Sequence, residues 1–448
     1  MTGFPMTLDN PVEWQAPLPA ESNVVVVGAG VIGVTCALFL ARRGVAVTLL
    51  EKGRVAGEQS SRNWGWIRQQ GRAPEELPIS REAIALWRSL ADECGEDIGL
   101  APGGVTYFAR TEAEMASFHQ WLVHAREHGL DTRLLDGAQA AARIPGMSRP
   151  VVGAMETPSD MRAEPWKAVP ALARLAAREG VTIIENCAVR EIDTAGGRVA
   201  GVVTEAGRIR APEVVVAGGA WSSLLLRQSG IDIPQLSVRG TVIATQPLDE
   251  VYAGAATDDK VAFRRRQDGG YTLAAAGFHE LFLGPEAFRH ARCYWPALRA
   301  DPFGTRFKLK APAGFPDAWG LARRWSADRE TPLERMRMLD PKPNARVVRE
   351  MPRAFGALFP ALGEVRVKAA WAGMIDAMPD VVPIVDRCAP LPGLTIGTGM
   401  SAHGFGIGPG FGRVLADLVL GRASGHDLHR FRFTRFSDGS PIVPGPAL

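Results

Sequence analysis

Three stretches of the sequence hold residue types whose spacing can do chemistry. The first is Val24-Val-Val-Val-Gly28-Ala29-Gly30-Val31-Ile32-Gly33, with Glu51 following. Four β-branched residues in a row predict a strand buried on both faces. At the G-x-G-x-x-G spacing, Gly28 permits a tight turn, Gly30 lets backbone approach a pyrophosphate, and Gly33 lets the next helix pack on the strand. That helix is predicted from Val31 to Arg43, stopped by Gly44. Its first N–H groups lack internal partners and carry partial positive charge, which suits a diphosphate. A second strand, Val45 to Leu50, ends at Glu51, where a carboxylate accepts ribose hydroxyls and disfavours a 2′-phosphate. A dinucleotide other than NADP is expected.

The second stretch runs from Lys52 to Gly71. It is rich in Gly, Ser, Asn and Gln, yet carries Trp64, Trp66, Arg62 and Arg68. Ser60, Ser61, Arg62, Asn63, Trp64 and Gly65 read as a segment lying along a large flat cofactor. The third is Gly399-Met-Ser-Ala-His403-Gly404-Phe405-Gly406-Ile407-Gly408-Pro409, a Gly-rich loop after the strand at Leu394. His403 reads either as a base or as a structural histidine of that loop.

The remaining chain must position these stretches. Helices are predicted over 75–95, with Ile84, Leu86, Trp87 and Leu90 as the apolar stripe, over 111–129, and from Glu164-Pro165 to Gly180. Residues 153–162 read as a polar, turn-rich crossing segment. Short strands follow at 181–184, 188–192, 201–204 and 208–210. Val214-Val-Val-Ala217-Gly218-Gly219-Ala220-Trp221-Ser222 is a second buried strand ending in glycines. Two such strands imply one cofactor gripped from two sides. From 235 to about 368 the pattern changes to antiparallel strands, 238–246 and 260–275, the latter folded at Asp268-Gly269-Gly270. Arg264, Arg265, Arg266, Arg323 and Arg324 mark this part as a substrate domain. The nucleotide domain returns at 365–371 and 379–385 and closes with the 394–410 strand and loop, then a helix over 411–421. Segments 20–75, 150–234 and 365–430 are therefore assigned to a discontinuous dinucleotide-binding domain, and 76–149 and 235–364 to a substrate or cap domain.

Composition narrows the class. The net charge of +3 on 448 residues gives no case for nucleic acid as partner. Five scattered cysteines, none in C-x-x-C, indicate neither a disulfide framework nor a metal site. With no basic-then-apolar leader pattern in residues 1–20, a reducing, cytoplasmic location is expected. Residues 24–41 carry no charge, but they divide into strand, glycine loop and helix, so no transmembrane span is expected.

Together these motifs resemble the FAD-dependent D-amino-acid oxidase and dehydrogenase superfamily, which includes glycine and sarcosine oxidases and bacterial D-amino-acid dehydrogenases. The resemblance covers nearly the whole chain. It rests on Gly28 to Gly33 with Glu51, on Val214 to Ser222, on Trp371-x-Gly373 followed by Pro379-Asp380, and on Ser401-Ala-His403-Gly-Phe405 with Gly408-Pro409. It implies an α/β fold (α+β overall), with a Rossmann-type FAD-binding domain and an antiparallel-sheet substrate domain. It implies noncovalent FAD, with no cysteine between 368 and 386 for attachment. The diphosphate would lie on Gly28 to Gly33, with Glu51 and Lys52 near the ribose and Val189 beside the adenine. Ala217, Gly218 and Trp221 would grip from the second strand. Ser60 to Trp66 and Gly399 to Ile407 would contact the ring, with helical positive charge near Gly408 favouring its anionic reduced form.

Departures from the pattern matter. Many relatives place a carboxylate-holding arginine in a G-x-R-P motif, where this chain has Gly373-Met-Ile375-Asp376. Arg68 is the first alternative clamp and Arg264 to Arg266 are weaker ones. Asp376 either holds a cationic substrate group or caps a turn. His279 and Tyr271 are weaker candidates as bases, and Trp371 and Phe405 are expected to wall the pocket. Sarcosine oxidases carry an oxygen-activating lysine directly after the His-Gly-Phe triplet, where this chain has Gly406. Electrons are thus expected to pass to a quinone or a protein acceptor, with attachment to the inner face of a membrane compatible with that. The expected reaction is oxidation of the C–N bond of an amino acid, a D-amino acid first, or a related amine by hydride transfer to flavin N5. The alternatives are a sarcosine-, glycine- or opine-type secondary amine and a non-amino-acid substrate.

Overall fold

The computed structural model describes residues 3–277, 279–300 and 304–445. The strand Val24–Val27 is buried at all four positions, as an uninterrupted valine run requires. It lies inside a six-stranded sheet with spatial order Ile384–Arg387, Leu394–Thr398, Glu213–Val216, Val24–Val27, Val47–Leu50, Thr182–Ile184. All neighbours are parallel except the outermost pair, 384–387 with 394–398. The three glycine-ended strands, far apart in sequence, are therefore immediate neighbours. Their carboxyl ends open on one side, where open α/β sheets bind ligands.

Helices cover this sheet. Val31–Ala41 is buried along nearly its whole length and packs against Gly404–Val419, which packs in turn against Leu77–Cys94. Trp87 Nε1 donates to the Gly406 carbonyl at 2.8 Å and locks that contact. The last helix begins at Gly404, seven residues before the expected Phe411. Alternating glycines suggest loop, but here they are close-packing positions. A Cβ at Gly406 would come within 3.1–3.2 Å of Ile67 Cα, Arg68 N and Trp66 O.

A ten-stranded sheet forms the second layer. Two expectations are corrected by it. Residues 153–162 are no polar crossing, because Gly153–Thr157 is a fully buried strand between Val105–Ala109 and Arg133–Asp136. Its Glu156 is buried against Arg133, at 2.7 Å, and Arg143. The strand at 365–371 also does not join the first sheet. Val367–Ala377 pairs antiparallel with Leu236–Thr245 along its length, from Leu236↔Ala377 to Thr245↔Val367. The Asp268-Gly269-Gly270 hairpin is as expected, with Val261–Arg265 against Tyr271–Ala275. No helix among the described residues is long and apolar enough to cross a membrane.

Candidate functional site

One cavity of about 860 Å³ runs from the ends of the parallel strands to the face of the larger sheet. That size is within the usual range for a cofactor-and-substrate cleft, about 300–1,000 Å³. Its wall contains residues from all three stretches singled out above. Gly28, Gly30, Val31, Ile32, Glu51 and Lys52 line one part. Ser60, Arg62, Asn63, Trp64 and Arg68 line another, and His403, Gly404, Phe405 and Gly406 a third, with Val189, Ala217, Gly218 and Trp221 opposite. Ala29, Gly33, Ser61, Gly65, Gly399 and Ile407 lie outside the wall and support it.

At the nucleotide end the fit to a dinucleotide is local and specific. Ser60 Oγ accepts the Val31 N–H at 2.9 Å, holding the 60–64 segment across the first turn of the Val31–Ala41 helix. Glu51 is half-buried, and loss of hydration pushes its carboxyl up, while N–H groups of Ala29 at 2.9 Å and Gly53 at 2.8 Å favour the charged form. The Lys52 ammonium is held by Glu58 at 2.7 Å and lies 4.6 Å from the Trp221 ring centroid. A turn, a glycine cradle, a helix N-terminus and an acid thus converge where a diphosphate and ribose would sit.

The other end is aromatic. Trp64, Trp66, Tyr107, Phe118 and Trp121 line it together with Arg68, whose guanidinium is 5.8 Å from the Tyr107 ring centroid. Arg68 Nη1 donates to the Gln70 carbonyl at 2.6 Å and to Tyr107 Oη. Among the described residues no carboxylate lies within ion-pair distance of Arg68. The loop bearing it is fixed by buried Asp160, which accepts the Gln69 N–H at 2.8 Å and whose carboxyl is pushed up to about 7 by burial.

His403 is buried, and its ring has no hydrogen-bond partner in the protein. Loss of hydration, with the Arg72 cation beside it, holds its pKa down to about 3, so the imidazole is neutral. It follows Ser401 and Ala402, two consecutive non-glycine residues in the left-handed region, φ 47° and 65°. Such strain persists only where the surroundings enforce it. Asp376 supplies part of that enforcement. Its Oδ2 accepts the Gly399 N–H at 2.8 Å and its backbone carbonyl the Ser401 N–H at 3.0 Å. Burial pushes the Asp376 carboxyl up to about 6.

Several expected positions lie elsewhere. Arg264 is fully buried, paired with Glu164 at 2.9 Å, and supports the Trp64 carbonyl at 2.6 Å from behind. Arg265 reaches Leu248 O and Arg266 reaches Asp268, so none of the three enters the cavity. Arg323 pairs with Glu286 at 3.1 Å. Tyr271 is inside an aromatic core with Phe263 and Phe355, its hydroxyl held at Val251 and Tyr252. Trp371 packs on Phe4 and Trp166 behind the wall. Phe405, His279 and Ile375 do line the cavity. Sequence reasoning missed Arg72, Tyr107, Phe118 and Trp121. The Arg68-to-Arg72 run was a usable signal for the first, whereas the aromatics come from elements assigned only as helix or strand.

Comparison with known proteins gives the same reading. The solved L-amino acid deaminase from Proteus myxofaciens, in complex with anthranilate, superposes with a TM-score of 0.90 at 30% identity, covering 95% of this chain and 96% of that one. The D-amino acid dehydrogenase of Paramagnetospirillum magneticum is 27% identical over 93% of this chain and 99% of its own length. Human mitochondrial sarcosine dehydrogenase is 24% identical over 94% of this chain, but the chain spans only 42% of that relative's length. The family described as DAO, FAD dependent oxidoreductase, matches residues 23–418. With the matching cavity and its glycine cradle, this makes the chain a member of the DAO family of FAD-dependent oxidoreductases.

Proposed function

We propose that this chain oxidises the C–N bond of an amino acid, or a closely related amine, and passes the electrons to an acceptor other than oxygen. The observation that carries the reading is Arg68, an arginine without a carboxylate partner among the described residues, set in an aromatic wall at the His403 end of the cavity. Its guanidinium is the group to hold a substrate carboxylate. Trp66, Tyr107, Phe118 and Met155 would take a large apolar side chain. FAD bound in this cavity would supply the hydride acceptor.

The chain's own contribution is arrangement and charge. A free amine has a pKa near 10 and is mostly protonated at neutral pH, and only its neutral form releases hydride from carbon. Arg68 and Arg72 disfavour a further cation beside them and so favour the neutral amine. Water takes the amine's proton, and the neutral His403 ring, too weak a base to hold it, is available as a hydrogen-bond acceptor. Loss of hydride leaves an iminium, which water hydrolyses. In this reading Asp376, which lines the cavity, holds the Gly399–Ser401 loop through Oδ2 and its carbonyl, while its buried Oδ1 has no partner in the protein. The first sheet and its helices carry the cofactor and the ten-stranded sheet carries the substrate.

Gly406 is a close-packing glycine, so its identity reports packing and not the acceptor. The reading of a quinone or protein acceptor is supported instead by lining chemistry. Lys52, at the Glu51 end, is the one lysine among the described lining residues. It is supported also by the surface between residues 285 and 324. Five of the nine exposed large apolar side chains among the described residues fall there: Phe288, Trp295, Phe307, Leu309 and Trp319. Phe288 and Trp319 rings are 5.7 Å apart, and Leu283 accepts from Trp319 Nε1 at 2.9 Å and donates its N–H to the Lys308 carbonyl at 2.8 Å, which ties Trp319 to the strand that bears Phe307. Arg292, Arg306, Lys310 and Arg324 of the same segment are also exposed. Aromatic and basic residues together suit the interface of an anionic bilayer. A cytoplasmic protein attached to the inner face of a membrane would fit that surface.

Two measurements test these readings. Anaerobic mixing with paired D- and L-amino acids, glycine, sarcosine and a 2-hydroxy acid is expected to bleach the flavin band with an amino acid bearing a large apolar side chain. The D/L pair then fixes stereochemistry, and reoxidation on admitting oxygen is expected to be slow. Bleaching by none of the amines sinks the amine reading, and fast reoxidation sinks the acceptor reading. For the surface, the holoprotein is expected to sediment with vesicles containing phosphatidylglycerol but not with pure phosphatidylcholine, and Trp295→Ser with Leu309→Ser is expected to release it. Equal recovery in the supernatant with both vesicle types would remove the membrane proposal.

A further inference from the structure

We propose that Glu76 is a positioning residue for His403, holding the ring through Nδ1 and leaving Nε2 as a hydrogen-bond acceptor for the molecule in the cavity. The proposal rests on the reading of this cavity as the flavin and substrate site. Glu76 ends the short turn Pro74–Glu76 that leads into the Leu77–Cys94 helix. Its side chain is 1% exposed and that of His403 2%. Oε2 lies 3.7 Å from His403 Nδ1 and also accepts the Ala73 N–H at 3.3 Å.

Around this contact, buried polar atoms stand without partners in the protein: Glu76 Oε1, Arg72 Nη1 and both ring nitrogens of His403. Arg72 is tied to the same spot, since its Nη2 donates to the His403 carbonyl at 3.2 Å. Buried polar groups are nearly always satisfied. A group of orphans converging beside a ligand cavity is therefore a site built for something polar, and not a packing accident.

Charge and valence then fix the arrangement. Arg72 and Glu76 are opposite charges in one buried cluster, and His403 between them is neutral. A neutral imidazole has one N–H and one acceptor nitrogen. A carboxylate only accepts, so a proton at Nδ1 is the one that Glu76 stabilises, and Nε2 is left as acceptor. A carboxylate behind a working histidine sets tautomer and orientation in this way in metal and hydrolase sites. The bland alternative is that Glu76 only caps the turn through Ala73.

Glutamine separates the two roles, because its carbonyl still accepts from Ala73 while the negative charge that favours a proton at Nδ1 is gone and its amide can turn a donor toward the ring. The test uses FAD-loaded protein. Long-range ¹H–¹⁵N spectra of the histidine rings, assigned by loss of the His403 signal in His403→Asn, are expected to show the Nδ1–H tautomer in the wild type. Glu76→Gln is expected to lose that single tautomer, and Glu76→Asp to retain it. In anaerobic stopped flow, Glu76→Gln is expected to slow flavin reduction about tenfold with little change in substrate affinity. In a His403→Asn background the same change is expected to add nothing. An Nε2–H tautomer in the wild type overturns the proposal even if no Glu76 variant folds, and so does full additivity of the two substitutions. Should no amine reduce the wild-type flavin, the proposed function fails while the tautomer measurement still decides the role of Glu76.

Discussion

Arg68→Ala is expected to weaken binding of carboxylate-bearing substrates about 10- to 100-fold while the flavin stays bound. The size follows from what is removed. A charge-assisted arginine–carboxylate bond contributes about 1.5–3 kcal/mol net, and each 1.4 kcal/mol is a factor of ten. Among the described residues the other candidates do not replace it, because Ile375 occupies the place where relatives carry arginine and Arg264 to Arg266 are committed elsewhere. Arg72 also lines the cavity, though it is 2% exposed, its guanidinium pKa held down to about 9 by burial and by Arg68. A second cation there would gain from loss of the first, so some residual affinity is expected. Loss of affinity should fall on KM and spare the visible spectrum of the resting flavin, since Arg68 approaches the cavity from the aromatic side. Tyr107→Phe removes one hydroxyl contact to Arg68 and is expected to cost only a few-fold. An Arg68→Ala protein with unchanged KM would clear the arginine and move the carboxylate contact elsewhere in the wall.

Much of this site was legible because local signals and global placement agree. Val24 to Gly33 carries its own strand, turn and helix start, and Glu51 stands one strand later. The 214–222 and 394–410 stretches repeat the pattern, so their adjacency in the sheet follows from parallel pairing. What was not legible depends on partners distant in sequence. Glu156 makes residues 153–157 look exposed until Arg133 and Arg143 are brought to it. Val367–Ala377 reads as the return of the first domain, because nothing local says that Leu236–Thr245 is its neighbour. The glycines after His403 read as loop, since only the packed structure supplies Ile67 and Arg68 as the reason for Gly406 inside a helix. Glu76 was invisible for the same reason. An acid near a helix start ordinarily reads as a solvated first-turn residue, and its burial against His403 needs a contact across more than 300 positions.

The glycine cradle allows the fold and the cofactor site to be separated by single methyl groups. At Gly28, φ is 102° and a Cβ would fall 2.5 Å from the Ala217 carbonyl oxygen, which is backbone in the adjoining strand. Neither atom has room to move, so Gly28→Ala is strained in conformation and in space. Left-handed backbone costs about 1–2 kcal/mol and overpacking about 1–3 kcal/mol more, so a marked drop in melting temperature is expected together with loss of flavin. Gly30 differs. Its φ of −76° is ordinary, and the one close neighbour of an added Cβ is the Ser60 hydroxyl at 2.9 Å, the end of a rotatable side chain. Gly30→Ala therefore disturbs the fold little, yet puts a methyl where a diphosphate must meet the helix N-terminus. The expected result is a folded, colourless protein with a melting temperature near that of flavin-free wild type. Yellow Gly30→Ala protein with wild-type flavin content would mean that the diphosphate lies away from this turn, and the assignment of the cavity's nucleotide end would have to be given up.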